Sequence, residues 1–126
     1  MREIIRIIIV EDQTPVRHGL RDLLNDEPDF EVVGEASDGT EAVEVTGKLK
    51  PDVVVTGLRM PRLAGIRITE QVRESSPNTR IVILSMYSDK AYMDAAFQAG
   101  ALGYVVKESS ANGLVDTIRR VAAGER

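Results

Sequence analysis

Three short runs of aliphatic residues constrain this chain more than any other feature: Ile7-Ile8-Ile9-Val10, Val53-Val54-Val55 and Ile81-Val82-Ile83-Leu84. None is interrupted by the alternate polar residues that a strand wetted on one face would carry. Unbroken runs of this length are strands buried on both faces, and such strands belong to parallel sheets covered by helices. The segments between them have helical spacing. Val16, Leu20, Leu23 and Leu24 fall at i, i+4, i+7 and i+8, and Leu114, Ile118, Val121 and Ala122 repeat that spacing, so each set makes one apolar stripe.

Taken in order, the chain alternates strand and helix. Ile4 to Val10 is a buried strand followed by Glu11-Asp12, and Pro15 suits the first turn of a helix that Asn25-Asp26-Glu27-Pro28 stops. Phe30 to Ala36 is a second strand. Its apolar Phe30 and Val32 alternate with charged Asp29 and Glu31, which predicts an edge position. Asp38-Gly39-Thr40 opens helix two, with Ala42, Val45 and Leu49 inward, and Pro51 ends it. Asp52 to Thr56 is the central strand, and Leu58 to Ala64 is a loop in which Met60-Pro61 forces extended backbone. Helix three covers Gly65 to Glu74, with Ile68 and Val72 inward. Ile81 to Leu84 is the fourth strand, ending at Ser85. Ser88 or Asp89 caps helix four, Ala91 to Ala99, and Gly100 suits its C-cap. Leu102 to Val106 is the fifth strand, ending at Lys107, and Ser109 or Ser110 opens the last helix, whose Arg119-Arg120 pair is expected on a solvated outer face. Five βα units with short links imply one parallel sheet with helices on both faces and right-handed crossovers.

Composition narrows the function classes. A length of 126 residues suits a single domain over 1–126, and 43% hydrophobic with 29% charged residues is ordinary for a soluble globular protein. No cysteine is present, which excludes a disulfide frame and thiolate metal sites. The apolar runs are too short to span a bilayer, and Met1-Arg2-Glu3 leads straight into a strand rather than a signal peptide, so no membrane partner and a cytoplasmic location are expected. A net charge of -4 with no long basic run argues against this domain gripping nucleic acid by itself.

Chemistry is expected at the carboxyl ends of the strands, where open α/β sheets place their ligands. Strands one, three, four and five deliver Glu11-Asp12, Gly57, Ser85 and Lys107 there. Two carboxylates suit Mg²⁺, which keeps several waters, and a hydroxyl with an ammonium suits phosphoryl oxygens. His18, the only histidine, lies about 200° around the helix from both Val16 and Leu20, so it faces solvent.

Ile7-Ile8-Ile9-Val10-Glu11-Asp12, Pro51-Asp52-Val53-Val54-Val55, Leu58-Arg59-Met60-Pro61, Ile83-Leu84-Ser85 and Gly103-Tyr104-Val105-Val106-Lys107 together resemble the receiver domain of two-component response regulators, of the LuxR/NarL type, over essentially the whole chain. The resemblance implies an α/β, flavodoxin-like (CheY-like) doubly wound sheet of five parallel strands, order 2-1-3-4-5, with five helices. It implies that Glu11, Asp12 and the backbone carbonyl of Arg59 bind Mg²⁺, that Ser85 and Lys107 contact a phosphoryl group, and that Tyr104 is a rotating switch. It implies a sensor histidine kinase as partner, a helix-turn-helix DNA-binding domain after Arg126, and allows a homodimer.

Gly57 departs from the pattern, because the family carries its phosphoacceptor aspartate there. Glycine has no nucleophile, so phosphorylation at this position is expected to be disabled and Mg²⁺ binding weakened, whether by natural degeneration or by an introduced substitution. Thr56 should face the other side of the sheet, and Asp52 lies at the far end of the strand, more than ~10 Å away, so neither substitutes. Glu108 follows Lys107 where many receivers have proline, leaving that peptide bond open between cis and trans. The expectation is a signalling module and not an enzyme. A Mg²⁺-dependent phosphohydrolase would need a nucleophile or base the chain does not offer, and a nucleotide or flavin binder would need a glycine-rich loop where Glu11-Asp12-Gln13-Thr14-Pro15 stands.

Overall fold

The structure, a computed structural model, describes residues 3–58, 64–86, 90–106 and 111–124, with backbone alone for 111 and 112. Ten elements alternate: β1 (Ile5–Val10), α1 (Thr14–Asn25), β2 (Phe30–Ala36), α2 (Gly39–Leu49), β3 (Val53–Gly57), α3 (Gly65–Ser75), β4 (Arg80–Ser85), α4 (Lys90–Ala99), β5 (Gly103–Val106) and α5 (Ala111–Ala122). The strands form one parallel sheet in the order β2-β1-β3-β4-β5. This is the expected flavodoxin-like architecture, and β2 lies at an edge, as its alternation predicts.

Strand alternation divides the sheet into two apolar layers. Ile7, Ile9, Val53, Val55, Val82, Leu84 and Val105 pack with Leu24 of α1 and with Leu114, Val115, Ile118 and Val121 of α5. Ile8, Val10, Val54, Ile81 and Ile83 pack on the opposite face with Ala42 of α2, Ile68 and Val72 of α3, and Ala96 of α4. Burying both faces of β1, β3 and β4 is what their unbroken apolar runs require.

Local signals set the helix ends. Asp38 accepts the Glu41 amide at 2.8 Å while the Glu41 carboxylate accepts the Ser37 amide at 2.9 Å, a reciprocal cap that starts α2. Gly100 has φ +115 just after α4, the left-handed geometry expected of its C-cap. At the amino edge of the sheet, Thr79 Oγ1 donates to the Pro51 carbonyl at 2.7 Å and lies 2.6 Å from Ser76 Oγ, all buried.

Three sequence expectations need correction. Val16 lies in the first turn of α1 and is 37% exposed, so the α1 stripe is narrower than the spacing suggests and rests on Leu24 with half-buried Leu20 and Leu23. Asp29 is buried and not solvated. Arg119 is not on a free solvated face: it reaches Asp29 and Glu27, whereas Arg120 is exposed. A long guanidinium stem can lie along the protein and place its fork on carboxylates that helical phase alone assigns to solvent. Ser88, Asp89, Ser109 and Ser110 lie outside the described residues.

Candidate functional site at the carboxyl edge of the sheet

The register brings the expected strand tips together. Val10 pairs with Thr56, Thr56 with Ile83 and Ile83 with Tyr104, and one step further Gly57 pairs with Leu84 and Ser85 with Val106. Because all five strands are parallel, Glu11-Asp12, Gly57 and Ser85 leave the sheet on one edge, with neighbouring strands about 4.8 Å apart. Arg59 and Lys107 lie outside the described residues.

Glu11 continues β1 by donating its amide to Ala36 at 3.0 Å. Its side chain is buried, and Oε2 accepts the Gln13 amide at 3.2 Å. Asp12, next in the chain, is exposed. The loop that carries both is held by α1: Arg17 Nη1 donates to the Glu11 carbonyl at 2.9 Å, and Arg17 Nε donates to Glu35 Oε1 of β2 at 3.0 Å. Arg17 was not singled out from the sequence, where a cation on an amphipathic helix is indistinguishable from a solvated one.

Gly57 ends β3. By alternation position 57 belongs to the layer of Val53 and Val55, the side of the sheet covered by α1 and α5. Thr56 belongs to the other side, and its hydroxyl donates to the Gly57 carbonyl at 3.2 Å, so it is engaged by backbone. Asp52 is at the opposite edge, where its carboxylate accepts the Arg6 amide at 2.8 Å. The first residue of α3 comes back against this tip: Gly65 donates its amide to Leu58 at 2.8 Å, and Thr69 Oγ1 donates to the Gly65 carbonyl at 2.8 Å.

Ser85 is buried at the tip of β4. Tyr104 is half-buried and packs against the Ile83 layer, on the side covered by α2, α3 and α4. Among the described residues no three acidic or imidazole groups gather closely enough to hold a metal ion. Two carboxylates with water completing the shell are still within what Mg²⁺ accepts, so the donors present fit a weak site.

The fold defines a flavodoxin-like α/β class, and comparison with known proteins gives the family. The family model described as response regulator receiver domain matches residues 7–119, and the chain belongs to that family. It is 38% identical over 121 residues to the transcriptional regulatory protein LiaR of Bacillus subtilis, covering 96% of this chain and 57% of LiaR. It is 35% identical over 120 residues to the transcriptional regulatory protein DegU of Brevibacillus brevis, covering 95% of this chain and 51% of DegU. The chain therefore spans a little over half the length of these relatives. Among solved structures it is similar to a two-component response regulator of the LuxR family from Aurantimonas, with TM-score 0.95, 39% identity, and coverage of 98% of this chain and 89% of that one. It is similar also to the response regulator domain of Thermotoga maritima CheB, with TM-score 0.89, 31% identity, and coverage of 96% and 98%. No helix among the described residues is long and apolar enough to cross a membrane.

Proposed function

We propose that residues 1–126 are the receiver part of a cytoplasmic transcriptional response regulator in which phosphoryl transfer at the usual position is silent. A helix-turn-helix DNA-binding domain would follow Arg126, and the relatives' greater length and their names support this. The observation that carries the reading is the tip of β3: the strand that lies between β1 and β4 ends on Gly57, beside Glu11-Asp12 and Ser85. Receiver phosphorylation is attack by a carboxylate on phosphohistidine, and a residue with no side chain supplies no such group.

In this reading the chain is not itself an enzyme. Glu11, Asp12 and the Arg59 carbonyl would hold Mg²⁺, weakly. The ion, when bound, would neutralise phosphoryl oxygens. Ser85 and Lys107 are the phosphoryl-contacting pair, and Tyr104 is the switch aromatic. The partners are a sensor histidine kinase, the chain's own DNA-binding domain and a second copy of the chain.

Acetyl phosphate treatment of this chain and of Gly57→Asp, read by intact mass, tests the reading. Only the Gly57→Asp form should gain one phosphoryl group. A covalent adduct on the chain as it stands would overturn it.

A further inference from the structure

Helices α1 and α5 cover the same face of the sheet, and what joins their C-terminal ends is polar. Arg119, in the last turn of α5, donates through Nε to Asp29 Oδ2 at 3.0 Å and through Nη2 to Asp29 Oδ1 at 2.9 Å and Glu27 Oε1 at 2.6 Å. Its guanidinium also lies 5.1 Å from the centroid of the Phe30 ring. A forked, two-bond grip of this kind fixes direction as well as distance. The acceptors sit on the turn that follows α1. That turn is in turn built into the sheet, because the Asp29 carbonyl accepts the Ile5 amide at 2.8 Å and Asn25 Oδ1, at the end of α1, accepts the Val32 amide at 2.9 Å.

The other end of α1 is fastened too. Arg17 bridges the Glu11 carbonyl and the Glu35 carboxylate, so the helix is tied to the loop bearing the acidic pair. Twelve residues of helix make a rod of about 18 Å, with a guanidinium fastening near each end. One end holds the candidate site's loop, and the other holds the last turn of α5, from which the chain departs.

We propose that α1, fastened by Arg17 at the Glu11-Asp12 loop and gripped through Glu27 and Asp29 by Arg119, is a strut that sets the orientation of the α5 terminus according to the position of that loop. The strut lies on the opposite face of the sheet from Tyr104. None of its fastenings includes residue 57, so it does not require phosphoryl chemistry there, and a receiver silent toward phosphate keeps a route from its acidic loop to whatever follows α5.

A coupling of this kind is reciprocal, so disturbing either end must be felt at the other. The test is amide and arginine Nε nuclear magnetic resonance on this chain, with variants Arg17→Gln, Arg119→Gln, Arg119→Lys and the exposed control Arg120→Gln. Arg17→Gln should move the amide signals of Ala122, Ala123 and Gly124 and speed exchange of the Arg119 Nε proton at least threefold. Arg119→Gln and the gentler Arg119→Lys should move the Gln13 amide, and Arg120→Gln should leave it in place. Should Arg119→Gln fail to fold, Arg17→Gln and Arg119→Lys carry the test alone. Changes confined to each substituted end, with residues 11–13 indifferent to position 119 and residues 122–124 indifferent to position 17, would overturn the proposal.

Discussion

The Cβ that any other residue would carry at position 65 would run into the carbonyl oxygen of Gly57. The start of α3 and the tip of β3 thus meet backbone to backbone, and the intervening loop is closed at its base by the Gly65–Leu58 hydrogen bond. The contact partner is main chain, which cannot swing away as a side chain could. Gly65→Ala should therefore lower stability by about 1–3 kcal/mol, the usual cost of overpacking. Urea denaturation followed by circular dichroism checks this, and an unchanged midpoint would show that the strand tip yields.

Placing an acid at position 57 sets two effects against each other. A carboxylate there would stand near Asp12, and at ~5 Å with an effective dielectric of ~20 the repulsion is about 3 kcal/mol before nearby positive charge offsets it. Removing a strand glycine returns roughly 0.5–1 kcal/mol. Gly57→Asp should accordingly leave the melting temperature unchanged or slightly lower without Mg²⁺, and should bind Mg²⁺ more tightly than the parent by calorimetric titration. A clear rise in melting temperature in the absence of divalent ions would contradict the balance.

Arg119 shields a carboxylate that the fold has already buried. Hydrogen bonding to Asp29 first, and then to Glu27, holds the guanidinium above its ordinary range. The stabilisation is complete below the unfolded value and is lost only as pH rises past the folded one, so arginine titration adds no slope at neutral pH. Arg119→Gln leaves Asp29 facing a weaker partner and should cost about 2 kcal/mol, less than for a fully enclosed pair because the guanidinium is partly in water. Asp29→Asn should recover part of that loss in the double variant, and full additivity of the two changes would argue against a direct pair.

Gly19 sits in the interior of α1, exposed, with nothing within 4 Å of the Cβ it lacks. Nothing in its surroundings requires glycine. Gly19→Ala should raise stability by about 0.5–1 kcal/mol through the helix preference of alanine and a less disordered unfolded chain. A fall in the denaturation midpoint would mean that this helix surface is constrained in some other way.

The layers of the fold were legible because apolar runs and helical spacing report burial directly. Ile7 to Val10 and Val53 to Val55 could only be doubly covered strands, and the strand tips then followed from parallel order. Side-chain partners far apart in sequence were not legible. Asp29 and Arg119 are ninety residues apart, and each alone reads as a surface charge. Periodicity likewise overstated Val16, because spacing gives the direction of a side chain but not where the sheet beneath it ends. Nor does spacing announce Gly65, whose need for a bare backbone comes from a carbonyl eight positions earlier.

The ladder that joins the border strand β2 to β1 is irregular. Ile7 pairs with Val32 but Ile8 with Gly34, so Val33 has no opposite number and the ladder slips there. An extra residue of this kind bends the strand and sharpens its twist, and exposed Glu31 adds charge beside it. A second molecule approaching that border would find donors and acceptors out of step with its own. Concentrated solutions of the domain should stay clear, because the longest open margin of the sheet is a poor template for fibril growth.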